Sequence, residues 1–247
     1  MGKIIAVASG KGGTGKTTTV AAVSSCLATL GHKTLAIDYD AGMKNLDLAL
    51  CMADFAVADY FDVISGQLSL TEACHEHPQI QNLFFLAAPA VHGPEEADAG
   101  AVGQMLVEIR EVFDYCLIDA PSGIGKGFDL AHSGADMSVI VTNGELPAIR
   151  DAQRATETAR DMGIGEIGLL VNRVKPGNYK RLQFTIDDMI DVIGARLIGL
   201  VREDDSIMLS LHENTPLILY IKRRAAYDFL DIARRLRGEN LPLRRMR

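Results

Sequence analysis

The sequence predicts an α/β fold, a doubly wound, mostly parallel sheet with helices on both faces. Short apolar runs recur at residues 4–8, 34–37, 83–87, 115–118, 138–141, 169–171 and 197–201, separated by intervals long enough for helices. Several runs are nearly free of polar residues, as strands covered on both faces must be, and their alternation with helices calls for a parallel sheet. The first run also leads straight into a glycine-rich loop and a helix-like stretch over 17–30, the order of a strand–loop–helix phosphate site. No linker, low-complexity tract or internal repeat breaks the pattern, so residues 1–247 read as one domain.

The loop, Gly10-Lys11-Gly12-Gly13-Thr14-Gly15-Lys16-Thr17-Thr18, fits the spacing G-x-x-x-x-G-K-[ST]. Glycines let the backbone curl until successive N–H groups point inward, and that concave nest binds an anion. A helix starting near Lys16 adds the positive end of its dipole. Lys16 reaches the terminal phosphates as a point charge, and the Thr17 hydroxyl is placed to ligate magnesium. A second lysine, Lys11, lies beside the same nest.

Composition narrows the class. Apolar residues make up 48% and charged residues 23%, ordinary for a globular protein. No apolar run approaches the roughly 18 residues that span a bilayer, and the chain enters its first strand almost at once without a signal peptide, so a cytoplasmic location is expected. The four cysteines, Cys26, Cys51, Cys74 and Cys116, form no C-x-x-C pair, which speaks against a zinc site or a redox dithiol. The net charge is −7, but from Lys222 onward nine Lys/Arg stand against three Asp/Glu, so this end carries +6 and the rest −13. An acidic body with 6% aromatics does not suit a nucleic-acid binder.

In doubly wound sheets ligands bind beyond the carboxyl ends of the strands. Polar residues end the runs there: Asp38 and Asp40 after the second, Asp119 after the fourth, Asn172 after the sixth. Near the other end, Ala226, Phe229, Leu230, Ala233 and Leu236 recur at helical spacing, opposite Asp228, Asp231, Arg234, Arg235 and Arg237. That stripe reads as a helix packed on the body, with a membrane-facing helix as the alternative.

The loop with its extra lysine resembles the deviant Walker A motif of the MinD/ParA family of ATPases. Asp38-Tyr39-Asp40-Ala41-Gly42-Met43-Lys44-Asn45-Leu46-Asp47 is similar to switch I of the MinD branch, and Asp119-Ala120-Pro121-Ser122-Gly123 to its switch II. The resemblance implies an ATP site and a homodimer formed with ATP, in which Lys11 reaches the partner's nucleotide. By the same resemblance Lys11, Lys16 and Asp40 are catalytic, Asp40 orienting the attacking water, and Thr17, Asp38 and Asp119 hold Mg2+. Gly12, Gly13, Thr14, Gly15, Lys16, Thr17 and Thr18 would bind the phosphates.

Leu170-Val171-Asn172-Arg173 resembles the segment that recognises adenine, and Lys175 stands where a guanine site would carry aspartate, so ATP is expected over GTP. The stretch ending Arg202-Glu203-Asp204 is similar to one that packs against the base, with Arg202 replacing the usual proline and either stacking on the purine or pointing to solvent. The resemblance runs from Lys3 to Leu243, and only Arg244-Arg245-Met246-Arg247 follows, too little for a membrane-targeting helix. The implied function is a dimerisation switch in division-site placement, with regulatory protein partners and at most a peripheral membrane contact. A flagellar-number regulator of the FlhG type, a ParA-type partition ATPase and, from another class, an ATP-dependent metabolic enzyme are the alternatives.

Overall fold

The computed structural model describes residues 1–55, 58–90, 96–175, 185–220 and 224–244. Strands β1 (Lys3–Ala8), β2 (Thr34–Asp38), β3 (His75–Glu76), β4 (Leu83–Leu86), β5 (Tyr115–Asp119), β6 (Met137–Thr142), β7 (Glu166–Val174) and β8 (Arg196–Arg202) form one sheet. Their order is β3-β4-β2-β5-β1-β6-β7-β8, and the neighbours pair parallel except β3, which runs antiparallel to β4. Each of the seven apolar runs is a strand. The two-residue edge strand β3 was not expected, because two residues carry no periodicity.

The helices are α1 (Lys16–Thr29), α2 (Leu46–Ala49), α3 (Tyr60–Ile64), α4 (Leu70–Ala73), α5 (Ala99–Val112), α6 (Lys126–His132), α7 (Leu146–Asp161), α8 (Ile186–Ile193), α9 (Ser206–His212) and α10 (Arg224–Leu236). Alternate residues of β1 divide between two cores. Ile5 and Val7 pack with Val20 and Leu27 of α1 and with Phe229 and Ile232 of α10. Ile4, Ala6 and Ala8 face Val102 and Leu106 of α5, Phe128 of α6 and Ile149 of α7. Both faces of the central strand are therefore covered, which explains its unbroken apolar sequence.

Helix α10 settles the choice left by its stripe. Ala226, Phe229, Ala233 and Leu236 are buried against the body, so the stripe is core and not a membrane face. The opposite side is not simply solvated, however. Asp228 and Asp231 are buried too, each held by an arginine, Arg202 and Arg244 respectively. Arg244 also lies over the Tyr227 ring, and Arg235 donates to the carbonyls of Leu241 and Pro242, so the described part of the basic end is strapped along α10. Four further basic residues of this end, Lys222, Arg223, Arg245 and Arg247, lie outside the described residues.

Sheet order places the loop. β1 sits between β5 and β6, and the chain moves outward to β2 and β4 on one side and to β7 and β8 on the other. The loop after β1 therefore opens at the point where strand order reverses, the crevice in which such folds hold ligands.

Candidate functional site

The phosphate nest starts from backbone chemistry. Gly13 and Gly15 have φ of 78° and 99°, in the left-handed region that favours glycine. At Gly15 a side chain would also meet the Asn172 Nδ2 at 2.1 Å. Gly10 has a different reason: a Cβ there would lie 2.2 Å from the Asp151 carbonyl oxygen, because the loop runs against α7. Helix α1 then begins at Lys16 with no side-chain cap and no acidic residue in its first turn. Its leading amides are left to an anion.

Lys16 is only 6% exposed, and burial pulls its pKa down against the attraction of Asp119 and Asp40. Its Nζ donates to the Ser122 hydroxyl at 3.1 Å. Lys11 is far more exposed, and its Nζ lies 3.3 Å from Glu145 Oε2 at the start of α7. A solvated pair of this kind is worth roughly 0.2–1 kcal/mol, so moving Lys11 to another anion costs little.

Asp38 and Asp119 end adjacent parallel strands in register. Asp38 accepts backbone N–H groups from Asp40 and Leu46 at 2.8 and 3.3 Å. Even so, burial and then the charge of Asp119 push it up to about 7. Burial raises Asp119 to about 6 although the Thr17 hydroxyl bonds it and Lys16 attracts it. One oxygen of Asp119, Oδ1, is buried without a hydrogen-bond partner, as is Thr14 Oγ1 in the loop. Two carboxylates and a hydroxyl are hard oxygen donors that suit Mg2+, and an unpartnered carboxylate oxygen is what such a cation satisfies. Among the described residues no cluster of three or more His, Cys, Asp or Glu could cage a metal by itself. The donor set therefore fits a cation that completes its shell with phosphate oxygens and water.

Asp40 stands at the rim, its Oδ1 accepting the Met43 N–H at 3.2 Å. Beside the nest lies a cavity of 390 Å3, lined among others by Gly15, Thr18, Asn172, Arg173, Glu203 and Met208, a volume suited to a purine nucleoside. Asn172 and Arg173 reach it from a register irregularity of β7 between Val171 and Val174, and Arg173 itself adopts a left-handed φ of 54°. Bulges re-aim side chains in this way. The Asn172 amide donates to the Thr14 carbonyl at 2.8 Å, so it clamps the loop and keeps one further N–H for a ligand.

Three residues at the base end have partners of their own. Arg202 neither stacks on a free cavity face nor points to solvent: Nε and NH2 bond the Asp228 carboxylate at 2.7 and 2.8 Å. Asp228 is buried, so it holds the guanidinium by charge-assisted, bidentate bonds. Asp204 lines the cavity, but its two oxygens accept the N–H groups of Ser206 and Ala225 and tie α9 to α10. Glu203 pairs with Lys175 at 2.5 Å. Arg202→Ala is expected to destabilise the protein by about 2–4 kcal/mol, because it leaves a buried carboxylate unpaired. Urea unfolding checks this, and Arg202→Ala with Asp228→Asn should recover part of the loss.

Two residues of the site went unpredicted, Ser122 as a contact of Lys16 and Glu145 as the partner of Lys11. Neither fits a motif position with a side-chain role.

Residues 5–217 match the profile of the CobQ/CobB/MinD/ParA nucleotide binding domain. A septum site-determining protein MinD of Synechocystis sp. is 36% identical over 244 residues, covering 98% of this chain and 92% of that protein. The MinC:MinD cell division protein complex of Aquifex aeolicus contains a chain of 35% identity with a TM-score of 0.90, covering 98% of both chains. MinD of Pyrococcus horikoshii, solved with Mg-ADP, is 29% identical with a TM-score of 0.82 over 96% of both chains. A loop built for phosphate at the switch point of the sheet, together with this near full-length similarity, places the chain in the MinD/ParA family of nucleotide-binding proteins.

Proposed function

We propose that residues 1–247 form a single ATPase domain that binds ATP with Mg2+, dimerises face to face and acts as a switch in division-site placement. The observation that carries this reading is the convergence at one sheet edge of an uncapped helix start, a buried lysine, an exposed second lysine and an adjacent pair of buried aspartates. Phosphoryl transfer to water needs little covalent chemistry from a protein; it needs positioning and neutralised charge. Loop amides and Lys16 hold the phosphates. Thr17 and Asp119, with Asp38 behind them, would hold Mg2+, which supplies further positive charge to the phosphate oxygens. Asp40 orients the attacking water from the rim. Asn172, Arg173 and Glu203 face the nucleoside from the adjoining cavity, while Asp204 shapes its wall through backbone amides.

Lys11 fits a role between subunits because it is weakly held at home. Turning it from Glu145 to a partner's phosphate exchanges a solvated pair for a stronger, less hydrated one. The output of such a cycle is the presence or absence of a composite surface for regulatory proteins. The MinC bound to MinD in the Aquifex aeolicus complex is the precedent for a partner of the division-inhibitor class. Among the described residues no helix is long and apolar enough to cross a membrane; in this reading any membrane contact is peripheral and made through partners.

Lys11→Ala tests the reading. The variant is expected to bind ATP as the wild type does and to stay monomeric with ATP and Mg2+, where the wild type dimerises. Light scattering behind size exclusion reports both states, and dimerisation of the variant would remove Lys11 from the interface.

A further inference from the structure

His77 is 4% exposed and takes no part in the phosphate site. It follows β3 directly, in the connection over 77–82 that leads to β4. Its backbone is fixed, the N–H donating to the Leu83 carbonyl at 2.8 Å. The ring uses both nitrogens. Nδ1 faces the Gln79 and Ile80 amides at 3.0 and 3.1 Å, and Nε2 faces the Leu50 carbonyl at 2.9 Å. An amide N–H only donates and a carbonyl only accepts, so the surroundings fix the tautomer: Nδ1 is bare and Nε2 carries the proton.

Leu50 closes α2, a helix of a single turn with no side-chain cap at its start. Carbonyls in the last turn of a helix have no partner within it. The Cys51 and Met52 amides donate to those of Leu48 and Asp47, and the His77 ring donates to that of Leu50. At its other end α2 gives the Leu46 amide to Asp38. One imidazole therefore fastens the far end of the segment that starts at Asp38 to the β3–β4 connection.

A second ring proton has no place here. On Nδ1 it would point at two amide hydrogens and leave both buried amides without an acceptor, a cost for each. Burial likewise disfavours the imidazolium and holds the pKa below its ordinary 6.5, opposed by the Leu50 carbonyl. Ionisable groups on the neighbouring segments are engaged elsewhere. Asp47 accepts from the Leu48 amide, Glu76 accepts from the Asn82 amide, and Lys33 lies over the Phe84 and Phe113 rings. Asp54 is exposed, His75 is half-buried on β3, and burial raises the Cys51 thiol.

We propose that His77 is an acid-operated clasp: the neutral ring fastens α2 to the β3–β4 connection, and protonation of the ring releases both. The ring must leave its place to take up the proton, so opening frees the Gln79 and Ile80 amides and uncaps the end of α2 in one event. Each pH unit below the ordinary histidine value of about 6.5 then raises the opening equilibrium about tenfold, because only the open form binds the proton.

Asp38 and Asp119 act on overall stability in the opposite direction over part of this range, so only a local readout isolates the clasp. Hydrogen exchange followed by NMR on the nucleotide-free full chain supplies one, expressed as protection factors that remove the intrinsic pH dependence of exchange. Protection of the Gln79, Ile80, Cys51 and Met52 amides should fall about 20-fold from pH 7 to pH 5, a fall that the β1 amides do not share. His77→Asn keeps an oxygen where Nδ1 stood, with nothing to titrate and no reach to Leu50. In this variant Gln79 and Ile80 should keep their protection at both pH values, while Cys51 and Met52 are weakly protected at both. Protection in the wild type that does not change with pH would overturn the proposal, and so would a fall shared by β1 or a fall of equal size in His77→Asn. Ring-nitrogen chemical shifts that place the His77 proton on Nδ1 at pH 7 would overturn it as well.

Discussion

Lys16→Ala is expected to lower nucleotide affinity by at least 100-fold and to take ATP hydrolysis to background. The ammonium is nearly buried, so its attraction for phosphate is screened by little water, and a charge-assisted interaction of this kind is worth about 3 kcal/mol or more. The fold should survive. Removing a desolvated cation relieves the cost that lowers its pKa, though Asp119 and Asp40 lose its attraction. Lys16→Arg should not rescue binding, since a planar fork does not occupy the site of a compact ammonium. Calorimetry with ADP and phosphate-release assays read the result. Affinity within threefold of wild type would mean that the nest, and not Lys16, carries recognition.

The second large effect concerns the paired aspartates. Both carboxyls are raised above their ordinary value of 3.8, Asp38 to about 7 and Asp119 to about 6, with burial the leading cause in each. The folded chain therefore binds more protons than the unfolded chain between about pH 4 and 7, and stability contributed by these groups falls as pH rises through that window. Asp119→Asn removes one buried charge. Without metal, the variant should be more stable than wild type by on the order of 2 kcal/mol at pH 8, with the difference vanishing by pH 4.

Metal reverses the preference. A cation binds the ionised pair, so the stabilisation of wild type by ADP with Mg2+ over ADP alone should grow from pH 6 to pH 8, and it should be lost in Asp119→Asn. Thermal unfolding at the two pH values, with and without Mg2+, decides the matter. An equal Mg2+ effect at both would separate these carboxylates from the cation.

Much of the molecule is legible in its residues because the signals are local. An apolar run bounded by helix-length intervals names a strand, and glycine spacing names an anion nest, wherever the chain later goes. The stripe of α10 is visible for the same reason. What escaped lacks a local signal. β3 is too short to show alternation, and a β-bulge at Asn172 and Arg173 is an irregularity of pairing with β8. Asp228 and Asp231 look like a solvated helix face until Arg202 and Arg244 arrive from other segments and cover them.

The sequence by itself determined the fold class, the phosphate loop with its two lysines and the acidic residues at the strand ends. Tertiary structure alone decided how those groups meet: Lys16 with Ser122 across 106 positions, Lys11 with Glu145 across 134 and Asn172 with Thr14 across 158. Only the order of strands brings such distant residues to one edge. That order comes from burying both faces of the sheet at once, a property of the whole chain that no short window of residues contains.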